Sequence, residues 1–242
     1  MENYLQDFHS YVTGTVEKFY RTQLDNLKAA SDLIAESIIK GGKFFVTGTG
    51  HSHMIAEEFY ARAGGFGNVY PILPSEFMLH EHPLKSTAVE RVTDYAGVIM
   101  KIYKIKKEDV MLIASNSGRN GMIVELARLA KEQGAKVIAL TNPRMPEKEK
   151  SRHPSGRYLY QYADVVIDNC TGTGDAAFYV EEAGTCMGAL STITGAYGAQ
   201  FISVLLSKKL ASRGMIPPVF KSSNMDGGDD WNRALFEKYY GV

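Results

Sequence analysis

Apolar and polar positions along this chain change period several times, and the changes mark out alternating helices and strands. From about Leu5 to Lys40 the spacing is helical, with Ile34, Ile38 and Ile39 on one face, and Gly41-Gly42 ends the run. Lys43 to Thr47 reads as a buried strand, His53 to Ala63 as a helix stopped by Gly64-Gly65, and Val69 to Leu73 as a second strand. Pro71 in that strand predicts a place near the sheet edge, because proline cannot donate to a ladder. Pro74 to Glu90 is a polar segment rich in His and Glu, and Arg91 to Tyr103 is helical again. Asp109 to Ala114 is short, continuous and apolar, a third strand, followed by a helix over about Met122 to Gln133 with Gly134 as its stop. Lys136 to Leu140 is a fourth strand, a charged loop runs from Arg144 to Arg157, and Val165 to Asp168 is a fifth strand. A small-residue helix over about Ser191 to Leu210 closes the regular part. The tail after Gly214, with Pro217-Pro218 and Asp226-Gly227-Gly228-Asp229-Asp230, reads as irregular. Strands alternating with helices predict an α/β protein: a parallel sheet with helices on both faces and ligands bound beyond the carboxyl ends of its strands.

Composition narrows the partners. With 242 residues, 45% of them apolar and 22% charged, the chain can bury a large core as one domain, residues 1–242, comprising a helical region (about 1–40), the α/β body and the tail (about 214–242). Lys and Arg (27) balance Asp and Glu (27), so there is no basic surplus for nucleic acid or an anionic membrane. Met1-Glu2-Asn3-Tyr4 lacks the form of an export signal and no apolar run reaches membrane-spanning length, which predicts a cytoplasmic protein. Cys170 and Cys186 form no metal-type or redox-type pair and read as reduced core or near-core thiols.

Two turns carry the chemistry. Val46-Thr47-Gly48-Thr49-Gly50-His51-Ser52 and Ala114-Ser115-Asn116-Ser117-Gly118-Arg119-Asn120 each follow an apolar strand and open a helix. They put glycines, hydroxyls and unpaired N–H groups where the helix dipole is positive, an arrangement suited to phosphate. A dinucleotide-binding fold also begins strand, Gly-x-Gly, helix, with Glu76 able to play the acidic residue; but His53 stands at the third glycine position, and that scheme leaves the second turn unexplained. No Gly-x-x-x-x-Gly-Lys loop is present, which argues against an ATPase.

At these turns the chain resembles the SIS (sugar isomerase) domain family, with its Gly-x-Gly-x-Ser and Ser-x-Ser-Gly turns. Gly134-Ala135 and Ala139-Leu140-Thr141-Asn142 are also similar to it. Leu79-His80-Glu81, His153-Pro154-Ser155-Gly156 and Pro217-Pro218-Val219-Phe220 resemble stand-alone SIS proteins that carry a phosphoheptose isomerase label. The resemblance spans roughly residues 25 to 210. It implies a three-layer sandwich around a five-stranded parallel sheet in flavodoxin-like order, a phosphosugar ligand, and a homodimer or homotetramer with sites near the subunit interface. Carried over by position, Ser52, Ser115, Ser117 and Asn120 bind the phosphosugar, helped by backbone at Asn116 and Gly118, with Asn120 standing where many relatives have a hydroxyl; in the first turn, Gly50 allows an anion to approach the backbone and His51 can contact phosphate or sugar directly. The glutamate that phosphoheptose isomerases place about ten residues after the first-turn serine falls on Arg62 here, so the mechanism does not carry across; Glu57 and Glu58 lie one turn earlier on the same helix, and Glu58 is a catalytic candidate in its place if it faces the cleft.

Aldose–ketose isomerisation needs a carboxylate or imidazole to move a proton beside a carbonyl, and an acid for ring opening. Glu76, His80, Glu81 and His82 follow the second strand and supply both types, with Glu81 read as base, His80 as acid or orienter, and Glu76 as a further catalytic candidate. The plainer alternative for that cluster is a solvated loop or a subunit contact. No cofactor is called for and no metal, although His51, His53, His80 and His82 form two His-x-His pairs that suit zinc if they converge. Asp175, Glu181 and Glu182 follow the fifth strand and can reach the sugar. Two functions stay open: an enzyme, most simply a sugar-phosphate isomerase but also a deaminase or etherase of amino-sugar phosphates, and a phosphosugar sensor. Regulatory relatives carry a DNA-binding helical domain ahead of the SIS domain, and the forty or so residues before the first strand are too few and too acidic for one.

Overall fold

The computed structural model describes residues 2–147, 149–172 and 174–242; Met1 of the amino-terminal tetrad and Lys148 of the charged loop lie outside them. Helix α1 (Glu2–Ile39) leads into β1 (Phe44–Gly48), a 3-10 turn over Gly50–His53 and α2 (Met54–Phe59). Then come β2 (Val69–Ile72), α3 (Pro83–Val89), α4 (Tyr95–Tyr103), β3 (Val110–Ser115), α5 (Gly121–Glu132), β4 (Lys136–Thr141) and β5 (Val165–Asp168). The chain closes with β6 (Ala176–Val180), β7 (Thr185–Ala189), α6 (Ser191–Ser212) and α7 (Gly228–Tyr240).

Five parallel strands form one sheet in the order β2-β1-β3-β4-β5. Alternation along each strand sends side chains to opposite faces. Phe44, Val46, Val110, Leu112, Ile138 and Leu140 pack under α1, α2 and α6; Phe45, Met111, Ile113, Val137 and Ala139 pack under α4 and α5. The strands are apolar on both faces because both are covered. Pro71 sits on the edge strand β2, as its missing donor requires.

Four sequence readings change. The helix expected over His53–Ala63 is only α2, because Tyr60 is extended, Ala61 is left-handed (φ 49°), and the amides of Gly64, Phe66 and Gly67 bond to Phe220, Phe59 and Pro218. Residues 74–90 are not wholly loop: Pro83 at the first helical position starts α3. The tail is not irregular throughout, since α7 begins after Gly227 (φ 73°) with Asp229 and Asp230 in its first turn, where carboxylates favour a helix start. It docks beside β2 through the Tyr240 hydroxyl on the Val69 carbonyl (2.7 Å) and the Phe220–Phe236 ring pair. Cys170 is buried as expected, but Cys186 is exposed on the hairpin β6–β7. That hairpin leans on the start of α1, where Phe178 meets the rings of Tyr4, Phe8 and Tyr11.

Candidate functional site

Strand order places the two turns together. β1 and β3 are parallel neighbours in register, Gly48 beside Ala114, and the order of strand addition reverses between them, β2 lying on one side and β4 and β5 on the other. That is the switch point of an open α/β sheet, where a crevice forms beyond the carboxyl ends of the strands. A cleft of about 320 Å³ opens there. Thr49, Gly50, His51 and Ser52 line it from the first turn, Ser115, Asn116, Ser117 and Asn120 from the second.

Close packing shapes both turns. A Cβ on Gly48 would lie 2.4 Å from the Ser52 carbonyl, so only glycine lets the chain fold back at the end of β1. Gly118 is left-handed (φ 55°), with its amide donating to Ser115 Oγ (3.1 Å). The Asn116 side chain is engaged away from the first turn: its Oδ1 accepts from Asn169 Nδ2 (2.6 Å) and Thr171 Oγ1 (3.0 Å), pinning the second turn to the segment after β5. Asn120 precedes α5 but does not cap it, because its Oδ1 accepts from the Arg152 guanidinium (2.8 Å). The positive end of α5 is thereby left without a side-chain acceptor from its own N-cap.

Residues missed in the sequence complete the walls: Leu79, Ser86, Thr87 and Glu90 from the 79–90 segment, and Ser191 after the hairpin; Asp175, which the sequence put within reach of a sugar, lines the cleft as well. Glu90 reaches the cleft because the Met122 amide bonds to its carbonyl (3.2 Å) and because Gly121 lets Thr93 approach closely: a Cβ there would lie 2.4 Å from Thr93 Oγ1. Burial pushes the Glu90 carboxyl above its ordinary range, against the pull of the Thr49 hydroxyl (2.9 Å) and of Arg91 and Arg152. The Ser86–Glu90 spacing, one helical turn after a Pro-initiated start, was the available signal. Asp175 accepts from the amides of Leu190 (3.1 Å) and Ser191 (2.7 Å) and from Ser191 Oγ (2.8 Å), so it caps the start of α6.

The other sequence candidates lie outside this cleft. Glu81 is exposed and engages Lys85, which holds its carboxyl below the usual range. His80 and His82 are exposed on the same loop, and Glu76 is half-buried beside Tyr95, whose phenol is pushed up by burial and then by Glu76. Glu58 pairs with Arg62 and accepts from Gln200 Nε2 (2.5 Å); Glu58 and Arg62 line a separate depression between α2 and the start of α6. Exposed Glu57 lies 3.5 Å from His53, whose other ring nitrogen meets the Gly50 carbonyl. Glu181 and Glu182 sit at the tip of the hairpin. Among the described residues no three His, Cys, Asp or Glu side chains converge as a metal-binding group, and no helix is long and apolar enough to cross a membrane.

A second element steadies the second turn. Buried His153 bridges Glu125 (2.9 Å) and Ser155 Oγ (2.7 Å), and Arg128 followed by His153 hold the Glu125 carboxyl down at about 2. His153 thereby ties to α5 the loop that carries Arg152.

Residues 7–142 match the family described as the SIS domain. The chain belongs to the SIS-domain family. This SIS chain is 43% identical over 239 residues to a UPF0309 protein of Halalkalibacterium halodurans, covering 99% of each, and 41% identical over 239 residues to one of Thermoanaerobacter pseudethanolicus, covering 97% of each. Among solved structures, its fold is similar to a phosphoheptose isomerase from Francisella tularensis (TM-score 0.55, 15% identity, 84% of this chain and 96% of that one). It is also similar to the Vibrio vulnificus NanR protein complexed with ManNAc-6P (TM-score 0.51, 13% identity, 97% of this chain and 66% of that one). The five-stranded order and the three layers are therefore the SIS fold expected from the two turns.

Proposed function

We propose that the cleft between the two turns binds a phosphorylated sugar and that the protein isomerises it by moving a proton beside its carbonyl. One observation carries this reading: two hydroxyl-rich strand-to-helix turns, on adjacent strands at the switch point, face one cleft. Ser52, Ser115, Ser117 and Asn120 hold the phosphate in this reading, with the uncapped start of α5 adding its dipole and Gly50 allowing close approach. His51, on the rim, is placed to meet the sugar. The two solved structures of similar fold lend support, one being a phosphoheptose isomerase and the other holding ManNAc-6P.

The test is a thermal-shift screen of heptose, hexose, hexosamine and N-acetylmuramic acid phosphates, followed by NMR of each stabilising compound in heavy water. Deuterium entering at the carbon beside the carbonyl is the expected result. Stabilisation with neither exchange nor turnover would instead mean a sensor. Ser117→Ala should weaken the stabilising phosphosugar by about 1.5–3 kcal/mol, as expected for a hydrogen bond to a charged group, and leave its dephosphorylated form unaffected. Equal losses for both would remove the phosphate from the second turn.

The same reading includes a homo-oligomer. Leu5 (67% exposed), Tyr179 (60%) and Met187 (53%) give the paired α1 and hairpin an apolar outer surface that a second copy would cover. Light scattering should report more than one chain per particle, and Leu5→Glu should lower that number.

A further inference from the structure

Among the described residues two carboxylates line the cleft, and they differ in what they are free to do. Asp175 accepts three hydrogen bonds at the head of α6 and is held as a helix cap. Glu90 stands at the end of α3, its Oε2 accepting from Thr49 Oγ1 at 2.9 Å. Beside it is Asn120, whose orientation is set from behind: Arg152 donates to its Oδ1 at 2.8 Å, which turns the amide's Nδ2 donors toward the carboxylate and the cleft. The carboxylates on neighbouring elements are otherwise engaged, Glu58 with Arg62 and Gln200, and Glu81 with Lys85.

Resting on the phosphosugar reading, we infer that Glu90 is the catalytic residue that carries the proton between the two carbons, and that Arg152, acting through Asn120, is a positioning residue. The Glu90 carboxylate takes the hydrogen from the carbon next to the carbonyl of the open-chain sugar. That C–H bond breaks, an O–H bond forms on Glu90, the electron pair becomes the C=C bond of an enediolate, and the former carbonyl oxygen takes the negative charge. The neighbouring hydroxyl hydrogen passes to that oxygen, Glu90 returns its proton to the former carbonyl carbon, and the new carbonyl forms one carbon along. No oxidant or reductant is needed, and the carboxylate ends as it began. A carboxyl lifted by burial suits this role, because a base working near neutral pH is most effective with a pKa close to that pH.

The experiment uses the full chain and every compound of the phosphosugar panel. Glu90→Gln, the same size without a basic oxygen, is expected to keep the thermal stabilisation by the phosphosugar and to lose deuterium exchange by about 10²–10⁴-fold. Glu90→Asp, which keeps the acid but withdraws it by one methylene, should show partial exchange, and it serves if the amide variant does not fold. In the wild type the exchange rate should rise with pH through the Glu90 ionisation. Arg152→Met removes a cation that stabilises the ionised form, so its midpoint should move to higher pH, a change that mere loss of packing would not produce. Exchange unchanged in Glu90→Gln overturns the assignment and leaves the binding reading standing, as does a wild type that is stabilised without exchange. A panel in which no compound stabilises the wild type overturns the phosphosugar reading, and this assignment with it.

Discussion

Gly48→Ala is expected to abolish phosphosugar stabilisation and to lower Tm by about 5 °C, the consequence of forcing roughly 1–3 kcal/mol of overpacking into a chain of this size. The added methyl would lie 2.4 Å from the Ser52 carbonyl and 2.9 Å from Ser52 Cβ, both nearer than atoms can approach. Neither can yield cheaply, because Ser52 belongs to the 3-10 turn whose amide already bonds to the Thr49 carbonyl (3.1 Å). The turn must therefore swing away from β1, taking the Ser52 hydroxyl out of the cleft. Gly50→Ala is the control on the same turn. Its left-handed backbone (φ 54°) costs about 1–2 kcal/mol, but no atom lies within 4 Å of the new methyl, so weaker binding and not its loss is expected. Thermal unfolding with and without the stabilising phosphosugar separates the two; a Gly48→Ala protein that binds normally would show that the cleft does not depend on this close approach.

Asp109→Ala is expected to have the larger effect on the fold and none on the cleft. Asp109 is 1% exposed and its two oxygens accept from the Lys43 amide (2.8 Å) and the Lys106 amide (2.9 Å), clasping the starts of β1 and β3. Removing it leaves two amides without a partner in a dry environment, at about 1.5–3 kcal/mol each, or a Tm lower by roughly 10 °C. Because the clasp lies at the amino ends of the strands, the affinity measured below the lowered Tm should be that of the wild type. A Tm within about 2 °C of the wild type, on the order of 1 kcal/mol or less, would mean that water replaces the carboxylate at no great loss.

Fold and site differ in how far they could be read along the chain. Periodicity located all five strands of the main sheet, since an apolar run of four to six residues between glycines and polar turns has few other stable uses. It missed the hairpin β6–β7, whose mixed residues form strands by pairing with each other and leaning on Tyr4, Phe8 and Tyr11, at the opposite end of the chain. It missed α7 for a related reason. Asp226 to Asp230 looks like a turn by composition, and its second half is helical because Tyr240, Phe236 and Trp231 find partners on β2 and the Val219–Phe220 segment.

What the chain determined by itself is the pair of turns, because glycine where the backbone must fold back and hydroxyls next to free amides are local requirements, written in consecutive residues. What only the tertiary structure decided is which carboxylate joins them. Glu81 and Glu90 are equally acidic letters in the same polar segment, yet one faces solvent with Lys85 while the other is carried into the cleft by a bond to Met122 and the missing side chain of Gly121. A carboxylate's ionisation and reach depend on burial and on neighbours from distant segments, and these exist only once the chain has closed on itself.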